Sequence, residues 1–197
     1  MSTSTSRWRR RGVAALAAVT AGVTTSTGTP VRADRELFFE ETAGAFWEVP
    51  HQCADGTTVM GTLLVQTTRD FEAPDTEDPE PTARLQFQAV CPGGISFTWG
   101  APTVPATIIS TPDLKSVTAS GSGIARDNLG AAHEVSFAVA WTGVGPVETT
   151  VNVAGSKRKE RAAIADGEVV FDGVAIVDGP ANHPTRPAPF IRVDTEK

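Results

Sequence analysis

The sequence of 197 residues contains no tyrosine, two cysteines and three histidines. Each scarcity narrows the chemistry. Binding surfaces commonly use tyrosine and tryptophan together, so the lack of tyrosine argues against an aromatic carbohydrate or protein paratope. His51, His133 and His183 show neither an H-x₃-H spacing nor a His-Glu-x-x-His motif. His51-Gln-Cys53 does place two possible zinc ligands on one face of a strand. A zinc site normally needs three or four ligands, however, and a disulfide-bonded cysteine cannot serve. No metal and no cofactor is therefore expected. The serine elbow G-x-S-x-G is absent, and Gly121-Ser122-Gly123 lacks its spacing. No segment is apolar enough to span a membrane as a helix, which takes about 20 residues.

What is present begins with an address. Arg7, Arg9, Arg10 and Arg11 precede the small, apolar run Gly12–Val23. A Thr/Ser/Gly/Pro stretch follows, and Val31-Arg32-Ala33 offers small residues at both recognition positions of a cleavage site. Basic, apolar and small-residue regions in that order read as a secretory signal peptide over residues 1–33. Arg10 and Arg11 also suit a twin-arginine route. Cleavage after Ala33 leaves residues 34–197 as one secreted domain, exported to the cell envelope or beyond. It removes five of the 17 basic residues and no acid, leaving 12 against 23 and a net charge near −11. Such a surface repels nucleic acid and anionic lipid.

Export also sets the redox state. Cys53 and Cys91 are expected to form a single disulfide. It would close a loop of 39 residues, which the chain-entropy model values at roughly 3–4 kcal/mol.

The remainder reads as strands and turns. Leu85, Phe87, Ala89 and Cys91 alternate with polar residues, as do Val135, Phe137, Val139 and Trp141, and then Val147, Thr149, Val151 and Val153. Residues 59–68 form a further β-branched run, and residues 114–126 a longer candidate strand with small residues from Ala119 to Gly123 that signal a bend, a bulge or a close backbone approach. Asp-Gly pairs at 55–56, 166–167, 172–173 and 178–179 favour hairpin turns. Asp127–Gly130 and Gly143–Pro146 add two more. Residues 157–165 are expected as a charged strand or hairpin arm. Residues 70–81, with six acids and three prolines, read as an exposed loop. Short turns imply antiparallel pairing. The fold class is all-β: a meander-like sandwich or barrel of about 8–10 strands.

Three constellations bear on function. His133, Asp127 and Glu134 are the first candidates for a hydrolytic site, although His133 also continues the inward alternation of its strand. Lys157, Arg158, Lys159 and Arg161 form the one basic cluster, a candidate anion site or an edge protected against aggregation. Among the tryptophans of the secreted part, Trp141 fits the core, while Trp47 and Trp99 lie near turns and are expected to be more exposed.

Trp141-Thr142-Gly143-Val144-Gly145-Pro146, followed by Gly155-Ser156-Lys157, resembles a segment of uncharacterised exported bacterial β-proteins. The likeness covers residues 115–180. It implies a β fold and export, and no activity, since none is assigned to that group. The sequence thus points to a secreted, non-enzymatic β domain that binds a small ligand or an extracellular or envelope partner. A small secreted hydrolase built around His133 is the alternative.

Overall fold

The alternating runs become strands in the computed structural model, which describes residues 39–71, 80–94, 96–151, 155–183 and 189–195. The signal peptide expected over residues 1–33, and most of the acidic loop expected over 70–81, lie outside the described residues. Ten strands follow in order: β1 (Phe39–Gln52), β2 (Thr58–Phe71), β3 (Thr82–Val90), β4 (Ser96–Ser110), β5 (Ser116–Asp127), β6 (Ala132–Gly143), β7 (Glu148–Val151), β8 (Lys157–Phe171), β9 (Val174–Pro180) and β10 (Phe190–Thr195). The charged stretch from Lys157 is a strand.

Strands β1 to β6 form an antiparallel meander, β6 pairs with β8, and β10 pairs with both β8 and β1. The result is a closed eight-stranded barrel, not a sandwich. The two extra strands flank β8. Its first half pairs with β7 and β10, its second half with β6 and β9. Past Gly44 and Phe190 the β1–β10 ladder ends. There the Trp47 indole donates to the Gly179 carbonyl (3.1 Å), and the Glu48 N–H donates to Asn182 Oδ1 (2.8 Å).

An eight-stranded barrel has an interior just wide enough for side chains or one small ligand. Here side chains take the space. Trp47, Trp99, Trp141, Phe87 and Phe137 are all at most 4% exposed, packed with Leu63, Leu85, Val65 and Val139. The expectation that Trp47 and Trp99 are more exposed is therefore wrong. Both sit at inward positions of strands whose alternation the sequence hides. Strand β1 is diluted by Gly44 and Pro50, and β4 is broken by Pro102 and Pro105. Outward positions mix polar residues with exposed apolar ones such as Met60, Ile109, Ile124 and Ile164. Among the described residues no helix is long and apolar enough to cross a membrane.

The turn signals divide. Residues 55–56 and 172–173 do turn, and Asp172 (φ 47°) with Gly173 (φ 78°) gives the paired positive φ of a two-residue hairpin. Asp166-Gly167 and Asp178-Gly179 instead lie inside β8 and β9, where Gly167 pairs with Gly179, Asp166 with Pro180 and Asp178 with Glu168. A ladder on both sides of β8 there outweighs the local turn preference. The small residues of β5 mark the close approach expected of them. The β4–β5 register shifts between Gly100 and Ala106, and a Cβ at Gly121 would collide with the Pro105 carbonyl.

Cys53 and Cys91 are joined in a disulfide, with a Cα–Cα distance of 5.9 Å. It ties the end of β1 to the end of β3.

Candidate functional site

A broad recess lies on the outside of the barrel. Outward positions of β5 carry Thr118, Ser120 and Ser122, and those of β6 carry Ser136, Ala138 and Ala140. Short side chains leave the wall thin, and three adjoining cavities of about 420, 450 and 440 Å³ form a trough across it. The first and third share Thr107 and Ser120, and the second and third share Ser122. Five carboxylates line the trough: Glu80, Glu134, Asp166, Glu168 and Asp178. Among the described residues no lysine, arginine or histidine lines it. Glu168 and Asp178 stand directly opposite one another in the β8–β9 ladder. Like charges so placed repel, and among the described residues no ion pair reaches either. Ile109 and Ile124 stand exposed at the margins.

His133 is held differently from either sequence expectation. Its Nδ1 lies 2.7 Å from Asp172 Oδ2 and its Nε2 lies 3.3 Å from Asp127 Oδ2. Its ring stacks on Phe171 at 4.7 Å. Asp127, in the β5–β6 turn, also accepts the N–H groups of Leu129 and Ala131. Asp172, in the β8–β9 turn, accepts the Glu134 N–H. The imidazole therefore clasps two turns together. The bond to Asp172, then that to Asp127, raises its pKa above 6.5 against the opposing effect of burial. Burial pushes Asp127 up, but the His133 bond and the two backbone donors outweigh it, and its carboxyl sits below 3.8. Asp172 was not singled out in the sequence, where Asp172-Gly173 reads only as a turn. The Glu134 carboxylate takes no part in the clasp and lines the trough instead. Among the described residues no serine, threonine or cysteine hydrogen-bonds to His133.

The stack continues across this end of the barrel. Phe171 lies on Trp99 (4.8 Å), Trp99 on Phe87 (5.9 Å), and Phe97 joins Phe87 to His51 (6.2 and 4.6 Å). Such pairs add about 0.5–1.5 kcal/mol each beyond buried area, so the ladder is a plug. At its far end His51 meets the disulfide. Nitrogen of His51 and the sulfurs of Cys53 and Cys91 lie within 4.8 Å of one another.

The basic cluster is divided by strand alternation. Lys157, Lys159 and Arg161 occupy one face of β8 and Arg158 the other. Arg158 Nε bonds Asp194 Oδ1 at 2.7 Å, which raises the guanidinium pKa further. Asp194 also meets Arg192 (2.9 Å), and Arg192 lies 3.8 Å from Glu40. Arg161 donates to the carbonyls of Gly145 and Asp113.

No protein-family model matches the chain, and no curated protein or solved structure does either.

Proposed function

We propose that the chain is an exported, disulfide-braced barrel that binds a basic, extended partner along its outer wall. The observation that carries this reading is the trough: carboxylates, hydroxyls and two exposed isoleucines, with no cation in its lining. A lysine- or arginine-rich segment supplies the missing charge, while its aliphatic stems lie against Ile109 and Ile124. The packed interior turns the reading away from a ligand inside the barrel and toward a partner outside it. The signal-peptide pattern and the net charge near −11 agree with an extracellular setting.

A hydrolase centred on His133 needs an activated nucleophile beside an available imidazole nitrogen. Both nitrogens face carboxylates instead, so the binding reading is preferred.

Calorimetric titration of the secreted protein with a synthetic lysine-rich peptide tests the reading. Saturable binding that weakens as salt rises is expected, with none for a glutamate-rich peptide of equal length. Equal binding of both peptides, or of neither, contradicts it.

A further inference from the structure

We propose that His51, Cys53 and Cys91 form a redox-gated site for a thiophilic divalent cation of the zinc class, closed while the disulfide is intact. Three donors from two strand ends already converge within 4.8 Å. His51 and Cys53 share a face at the end of β1, and Cys91 follows the end of β3. Their positions are fixed independently of the sulfur–sulfur bond. The His51 ring is clamped on Phe97 at 4.6 Å with a 10° interplanar angle. The Cys53 N–H donates to the Thr57 carbonyl (2.8 Å), and the Cys91 carbonyl accepts the Gly94 N–H (3.2 Å). Opening the disulfide thus leaves two thiols and an imidazole facing one another at the same barrel end.

The chemistry balances. A dithiol reductant gives its two electrons and two protons to the sulfur–sulfur bond, which breaks into two thiols as the reductant closes to its own disulfide. The cation then displaces both thiol protons and binds two thiolates and one imidazole nitrogen. Thiolate and imidazole donors select zinc-class ions over magnesium or calcium. Four-coordinate zinc takes thiolates at about 2.3 Å, so two sulfurs on one ion stand roughly 3.8 Å apart by tetrahedral geometry. That asks for a small movement between residues whose Cα atoms are 5.9 Å apart. Three protein ligands leave one position open for water. Cys91 is the more accessible sulfur, since Cys53 is buried, and it is the point of attack for the reductant.

The test opens the disulfide with a dithiol, removes the reductant without oxygen, and titrates cadmium as a probe. Its thiolate charge-transfer absorption reports sulfur ligation, and zinc is added as competitor. One equivalent per chain is expected for reduced protein and none for oxidised protein. Near-ultraviolet circular dichroism of the buried tryptophans should keep its native form in the metal-bound state. His51→Phe keeps a ring against Phe97 but removes the nitrogen. It should weaken binding by more than about 100-fold, beyond the roughly 10–100-fold typical of losing an outer-shell contact. Equal affinity in wild type and His51→Phe would overturn the proposal. So would binding to oxidised protein, or metal bound without the native tryptophan spectrum.

Discussion

Strand β8 carries opposite charge in its two halves, and the barrel treats them differently. The first half places Arg158 against Asp194, which in turn meets Arg192, and Arg192 lies near Glu40. Charge there is balanced within the wall. The second half places Asp166 and Glu168 beside Asp178 of β9, with no cation in the lining around them. Both halves are outward-facing sheet of one barrel, so the difference is not one of fold. Where short side chains on β5 and β6 make a recess, charge is left unbalanced. The smaller recess of about 230 Å³ beside Arg158 and Asp194 is lined by charges that neutralise one another.

Removing the imbalance is the strongest way to break this contrast. The triple variant Asp166→Asn, Glu168→Gln, Asp178→Asn should lower affinity for a lysine-rich peptide by about 3–100-fold, taking roughly 0.2–1 kcal/mol for each of three exposed charge pairs. Its folding stability should not fall, since Glu168 and Asp178 repel across the ladder, and thermal denaturation checks this. Filling the recess sharpens the same point: Ala138→Trp should weaken the peptide while leaving the buried face of β6 untouched. Titration of that variant reads the effect. In the balanced half, Arg158→Gln should cost at most about 1 kcal/mol of stability, because exposed pairs are weak. Denaturant unfolding measures the cost, and peptide affinity should stay at the wild-type value.

The smallest effect concerns the His133 clasp between the β5–β6 and β8–β9 turns. His133 has a raised pKa, so its contribution is complete below 6.5, the ordinary value, and is lost as pH rises through the raised one. Asp127 has a lowered pKa, so its contribution holds above 3.8 and is lost as pH falls through the lowered value. Wild type should therefore melt higher than His133→Gln between about pH 4.5 and 6.5, with the gap narrowing above neutrality. A gap that widens with alkali would remove the clasp from the account.

Much of this wall was legible in advance, and the reasons are local. Period-two alternation located β3 and β6, a β-branched run located β2, a longer run with small residues at its centre located β5, and the inward series ending at Trp141 identified a core face. The disulfide followed from two cysteines in a chain whose N-terminal sequence reads as an export signal. Strands β1 and β4 escaped because glycine and proline interrupt their pattern. Barrel closure escaped because β10 is six residues long and follows a proline-rich stretch, so nothing local names β8 and β1 as its partners. Two of the four Asp-Gly pairs misled because tertiary pairing across β8 and β9 overrode a turn preference. The trough was invisible as a motif. Its floor is serine, alanine and glycine, and its carboxylates come from strands that meet only in the sheet. Asp172 was hidden for the same reason, since its bond to His133 joins two hairpin turns.

The most direct test maps the peptide onto the wall by amide chemical-shift perturbation. The account predicts shifts concentrated at Ser120, Ser122, Ser136, Ala138, Glu168 and Asp178, with Arg158, Arg192 and Asp194 silent. Shifts gathered at the Arg158–Asp194 half, or spread evenly around the barrel, would contradict it.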